Sequence, residues 1–240
     1  MYHYLDPRCN PYRPDIAADF LRDRVDAKRF VQGIARQVKG KVCDLFSYPS
    51  TNAQRISQLL FGEIFVVYDQ HEQWAWGQDH TDGYVGYVHS ESLDSPGPTA
   101  THWVTALATF IYQEPNIKAV TCGRLSFMSR VAIIEEAERF VSIAGGGWII
   151  AQHVTPCTTY WNDILTSARM FLDVPYLWGG RSSNGLDCSG LLQLCLGSIG
   201  IHAPRDSDMI PAALTTETPT PCNPPEILYD FWSNLPPACR

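Results

Sequence analysis

Between Gly40 and Val154 the chain is divided by turn residues into short segments that alternate apolar and polar side chains, and this bounds the fold more than any other feature. KVCDLF, ISQLLFGEIFVVY, WAWGQ and GYVGYVHSESL follow one another, punctuated by Pro49, Gly62, Gly77 and Asp82-Gly83. A period of two buries one face of a strand and wets the other. Several such strands joined by tight turns are expected to close into a small antiparallel barrel. Pro96-Gly97-Pro98 is a linker signal. Beyond it THWVTALATFIY, SRVAIIEEAERFVSI and GGGWIIAQHV, with the Gly145–Gly147 turn, repeat the theme more weakly, so a second, diverged copy of the barrel is expected over 96–155. Trp74, Trp76, Tyr84 and Tyr87 are expected in the first barrel's core, with direct ligand contact as the other reading, and His102 and His153 as hydrogen-bonded sheet residues rather than bases. Residues 41–155 are expected to fold independently of the rest.

The flanks read differently. Residues 1–40 suggest an arm followed by a helix, with Asp15 capping Ile16 to Val38, because Ile16, Phe20, Leu21, Val25, Phe30 and Val31 recur at helical spacing. Thr158 to Leu172 suggests a second helix presenting Trp161, Ile164, Leu165, Ala168 and Phe171. The final stretch, 211–240, holds seven of the 17 prolines and shows neither period, so it is set apart as an aberrant proline-rich tail.

Composition narrows the function. At 240 residues, 45% hydrophobic and 12% aromatic, the chain is an ordinary globular sequence. A net charge of −7 argues against nucleic acid or an anionic membrane as partner. No apolar run approaches the roughly 18 residues of a membrane helix, and the N-terminus lacks the pattern of a secretory signal. Cysteines at 9, 43, 122, 157, 188, 195, 222 and 239 form no CxxC pair, which removes the strongest zinc and dithiol readings. Free thiols in a reducing compartment, with cytoplasm as the default, and no cofactor or metal are expected.

The chemistry lies in PYLWGGRSSNGLDCSGLLQLC, residues 175–195. A glycine-rich turn leads to Asp187-Cys188-Ser189-Gly190, and an apolar helical pattern follows. This places the Cys188 thiol in a helix's first turn, where unpaired N–H groups and the helix dipole favour thiolate. Asp187 is a plausible cap, Gly179 and Gly180 permit close backbone approach, and Gly190 leaves space beside the thiol. Cys195, seven residues on and on the same helical face, reads as a core residue.

The Trp strand followed by DGYVGYV resembles a bacterial SH3-type domain. PYLWGG…GLDCSGLLQ followed by GIHAPRDSDM closely resembles the NlpC-type, papain-like cysteine peptidases, which cleave the γ-D-glutamyl–diamino acid bond of bacterial peptidoglycan stem peptides. Taken with the segment patterns above, this gives an α+β chain: an N-terminal helical arm, two small SH3-like β-barrels at 41–95 and 96–155, and an incomplete papain-like catalytic domain at 156–210. The resemblance implies Cys188 as nucleophile and Tyr176 beside it, helping to hold the carbonyl oxygen, with the Cys188 N–H in an oxyanion hole. Asp187 and Ser189 match positions that hold the free amine of a substrate's terminal L-alanine. Arg205 and Asp206 match a structural PRDS turn, a surface ion pair being the other reading. The expected partner is a peptidoglycan-derived peptide with a free N-terminal L-Ala, and oligomeric state is left open.

The family's catalytic histidine strand has no counterpart here. His202 is the sole histidine after Cys188 and a weak candidate for the base. The strands that should cover Leu191, Leu192, Cys195 and Ile199 are also missing, which predicts an exposed apolar face. The expectation is therefore a truncated or frame-shifted, poorly active or inactive relative. The alternative is a non-catalytic muropeptide-binding protein with a vestigial peptidase lobe.

Overall fold

A computed structural model of the chain describes residues 5–210; the expected tail at 211–240 lies outside them. The first barrel is a seven-stranded antiparallel sheet. Its spatial order is Arg55–Leu60, Val42–Phe46, Val85–His89, Trp74–Asp79, Ile64–His71, Ile34–Val38 and Leu93–Asp94. Val42–Phe46 and Val85–His89 alternate half-buried and buried residues, as the period-two pattern requires. Leu45, Leu59, Phe65, Val67, Ala75 and Val88 meet in its core. Tyr84 belongs to that core as expected. Trp74 and Trp76 do not: they are buried on the face opposite Ala75, Trp74 against Phe46 and His89 and Trp76 beneath Arg13, while Tyr87 is half-buried.

The second barrel uses the same order. Thr121–Ser126, Ala108–Tyr112, Trp148–Ile150, Phe140–Ile143 and Ile133–Ala137 form one sheet, and Arg130–Val131, His102–Val104 and Val154–Pro156 form another. In each barrel a single 3-10 turn, Ser90–Ser92 or Ala151–His153, precedes a short last strand that pairs with the first. His102 and His153 each bond a threonine hydroxyl through Nδ1 at 2.9 Å, and burial pulls both imidazoles below their ordinary pKa.

The helical arm does not form. Residues 16–38 contain the two-residue strands Ala17–Ala18 and Phe30–Val31, the 3-10 turn Asp19–Leu21, and the barrel strand Ile34–Val38. Two physical causes are visible. Asp23 sits at φ 65°, a left-handed conformation that no α-helix passes through. The helical-period pattern is also no true face: Ile16 and Leu21 are buried, whereas Phe20 is 60% exposed and Val25, Phe30 and Val31 are half-buried. Ile34–Val38 instead completes the first barrel by pairing with Ile64–His71, so that barrel begins before residue 41.

The second helix is shorter than expected. α1 spans Ile164–Met170, because Asp163 caps it by accepting from the Leu165 N–H at 2.9 Å. α2 spans Cys188–Ser198. Its apolar side is covered after all: Leu192, Leu194, Cys195 and Leu196 pack with Ile164 and Phe171, and with Leu60, Trp103 and Phe127 from the barrels. A buried ion pair, Arg181 Nη2 to Glu63 Oε1 at 2.6 Å, ties the C-terminal segment to the first barrel. Among the described residues that segment adds only the strands Arg181–Ser182 and Gly185–Leu186 to the sheets.

Candidate active site

Local chemistry builds the start of α2. Asp187 is the N-cap, its Oδ1 accepting from the Gly190 N–H at 2.7 Å. The preceding turn folds back on it: the Gly179 N–H donates to Asp187 Oδ2 at 3.0 Å and the Asp187 N–H to the Gly180 carbonyl at 3.2 Å. Gly190 does not leave space beside the thiol, as its neighbours suggested. A Cβ there would lie 2.2 Å from the Gly180 carbonyl oxygen, so the glycine lets helix and turn touch. Leu177 N–H to the Leu186 carbonyl and Leu186 N–H to the Pro175 carbonyl, at 2.9 and 3.1 Å, hold Tyr176 alongside. The half-buried Cys188 opens, with Tyr176, Trp178, Tyr84 and Asp206, on a cleft of about 410 Å³.

Asp187 and Ser189 line that cleft, but their polar atoms are committed within the protein. The Arg205 guanidinium pairs with both Asp187 oxygens, at 3.0 and 2.7 Å, and donates to Ser189 Oγ at 2.8 Å. Arg205 is 1% exposed, which excludes the surface-pair reading; its Nε also reaches Ser57 Oγ at 2.8 Å. With two N–H donors and a bidentate guanidinium, the Asp187 carboxylate has little left for an ammonium. Asp206 presents the more available carboxylate. It is 26% exposed in its side chain and lines the cleft, with Oδ2 accepting from Tyr84 Oη at 2.8 Å and Arg8 Nη1 at 2.7 Å.

His202 is not brought to the thiol. It is exposed and lines a separate cavity with Glu63, Thr81 and Arg130. Among the described residues no histidine lines the Cys188 cleft. Cys195, by contrast, is fully buried, and burial pushes its thiol up to about 12. Sequence reasoning preferred the core to ligand contact for Tyr84, and the residue does both: its ring belongs to the core while its hydroxyl reaches the cleft. Sequence reasoning missed Arg8, whose DPR segment carries no periodic signal. No group of described residues is arranged to hold a metal.

Comparisons with known proteins agree with this architecture. Residues 45–93 match the family described as the bacterial dipeptidyl-peptidase SH3 domain, and residues 173–222 match the NlpC/P60 family. A gamma-D-glutamyl-L-lysine dipeptidyl-peptidase of Bacillus subtilis (strain 168) is 26% identical over 167 residues, covering 63% of this chain and 55% of the relative. Its namesake from Bacillus cereus is 27% identical over 183 residues, covering 65% and 54%. The chain thus spans about half the length of these two relatives. A crystal structure of an NlpC/P60 family protein from Bacillus cereus superposes with a TM-score of 0.62 at 20% identity, covering 73% of this chain and 75% of that one, a likeness of fold. The NlpC/P60 match thus lies C-terminal to the bacterial SH3 match, in the order of barrel and helical segment described above.

Proposed function

We propose that this protein binds short peptides derived from bacterial peptidoglycan and acts on them through the Cys188 thiol, as a γ-D-glutamyl–diamino acid endopeptidase. The observation that carries this reading is the placement of Cys188 at the start of a capped helix, in a cleft walled by three aromatic side chains and an acidic turn. The thiolate would attack the scissile carbonyl and form a thioester as the carbon–nitrogen bond breaks. The amine would leave carrying the proton that the thiol gave up on ionising, and water would then cleave the thioester, releasing the acid and restoring the thiol. Tyr176 would sit beside the carbonyl oxygen, and the N–H groups of the first turn of α2 face developing negative charge.

In this reading Asp206 receives the substrate's free amine, with Tyr84 orienting it. Asp187 and Ser189 act one step back, holding the helix start and Arg205. A pocket that selects a free amine selects peptides already released from the wall, which supports recycling inside the cell over remodelling outside it. The described residues supply nucleophile and binding wall without a histidine in the cleft. That observation favours slow turnover by residues 5–210 alone, and keeps a second reading open, a muropeptide-binding protein that does not hydrolyse.

Alkylation separates these proposals from a structural cysteine. With iodoacetamide near neutral pH, site-resolved mass spectrometry should find Cys188 labelled faster than the exposed Cys122, and Cys195 unlabelled. L-Ala-γ-D-Glu-L-Lys should protect Cys188 and leave Cys122 unaffected. Labelling of Cys188 no faster than Cys122, or without protection, would remove it as the reactive group.

A further inference from the structure

We infer that Arg8 of the N-terminal arm is a positioning residue for the amine-binding wall of the Cys188 cleft, clamping Asp206 so that one carboxylate oxygen is left to face an incoming ammonium. The inference rests on the peptide-binding reading above. Arg8 and Asp206 are 198 positions apart, so only the fold brings them together. Arg8 Nη1 donates to Asp206 Oδ2 at 2.7 Å, and the Tyr84 hydroxyl donates to the same oxygen at 2.8 Å. Two donors on Oδ2, one from the arm and one from the barrel, fix the carboxylate's rotation. Among the described residues none donates to Oδ1, and Asp206 lines the cleft that holds Cys188.

The clamp is itself anchored. The Val85 N–H donates to the Arg8 carbonyl at 2.8 Å and Gln78 Nε2 to the Cys9 carbonyl at 2.9 Å, stitching the arm to the first barrel. Asp6 accepts from the Arg8 N–H at 2.9 Å and from Nη2 at 2.8 Å, while Asp208 takes Nη2 at 2.8 Å and Nη1 at 3.1 Å. One guanidinium therefore serves three carboxylates, and the wall keeps a net negative charge for a cationic ligand. Arg8 hydrogen bonds hold Asp6 and Asp208 below the usual carboxylate range. Because the Arg8 side chain is 38% exposed, these pairs contribute little to global stability. Their consequence is orientation.

Calorimetric titration of the full chain with L-Ala-γ-D-Glu-L-Lys and its N-acetyl analogue reads this without requiring turnover. The unaltered protein should prefer the free amine. Arg8→Ala should weaken binding of the free-amine peptide by roughly 5–20-fold and leave the acetylated one unchanged, collapsing the preference. Arg8→Lys, which keeps the charge but loses the planar fork, should restore part of it. A merely structural loss would weaken both peptides alike and lower the melting temperature, which would overturn the inference. So would free-amine affinity that is unchanged or improved in Arg8→Ala. If the unaltered protein binds both peptides equally, the amine-pocket reading fails and the role of Arg8 fails with it.

Discussion

Asp187 shows how much one carboxylate can organise. It caps α2, draws in the Gly179 N–H and neutralises the buried Arg205. The variant Asp187→Asn tells these roles apart, because asparagine caps a helix as well as aspartate does. Any large loss then reports the ion pair, which leaves Arg205 charged and buried without a counter-ion. Urea unfolding should show a loss of about 3–5 kcal/mol, and adding Arg205→Met should recover part of it. A second buried carboxyl acts in the opposite sense. Asp79 is fully buried, and desolvation together with the Glu63 and Asp82 charges holds its pKa well above the carboxylate range. The folded state therefore keeps a proton that the unfolded chain releases above about pH 4. That contribution is complete below the unfolded pKa and is lost as pH rises toward the folded one, at about 1.4 kcal/mol per unit. Asp79→Asn removes the titration, so melts from pH 5 to 8 should be flatter for the variant and its melting temperature higher at pH 8. Equal slopes would show that Asp79 does not titrate in this window.

Within α2, two glycines test what the element is for. Glycine to alanine in a helix interior ordinarily stabilises by about 0.5–1 kcal/mol. At Gly197 a Cβ would lie 3.2 Å from Met128 Cε, the far end of a flexible side chain, so Gly197→Ala should be neutral or slightly stabilising. At Gly190 the same atom meets the Gly180 carbonyl oxygen at 2.2 Å, and backbone cannot step aside so readily. Gly190→Ala should reverse the sign, destabilise by about 1–3 kcal/mol and slow alkylation of Cys188. Thermal melts of the two variants side by side check the argument: a stabilised Gly190→Ala would mean that turn and helix are not in contact.

At the scale of the molecule the barrels and the helical segment share one core. Leu60, Trp103 and Phe127 pack under α1 and α2, and Arg181 reaches into the first barrel to meet Glu63 and the Gln58 carbonyl. A fragment limited to residues 41–155 would lose the Ile34–Val38 strand, uncover one edge of Ile64–His71 and strip the helices from those three side chains. An uncovered edge and apolar patch are aggregation hazards. The fragment should melt broadly or aggregate, whereas the full chain should unfold in one calorimetric transition. A sharp, reversible melt of the fragment would instead support the independent barrels read from the sequence.

Short-range chemistry in the sequence determined the barrel strands, the turns between them, and the helix opening at Cys188 with Asp187 as its cap. Each depends on neighbours within a few positions, where alternation, turn residues and capping act. Tertiary structure decided the rest. Residues 16–38 have a helical period, yet Ile34–Val38 became a strand because Ile64–His71 offered a partner. The Asp187–Arg205 pair closes a gap of 18 positions and the Arg8–Asp206 pair one of 198. The same ion pair is weak in water and strong when buried, so a list of residues does not reveal which carboxylate is spent inside and which is left for a ligand. That division, between Asp187 held under Arg205 and Asp206 turned to the cleft, exists only once the chain is folded.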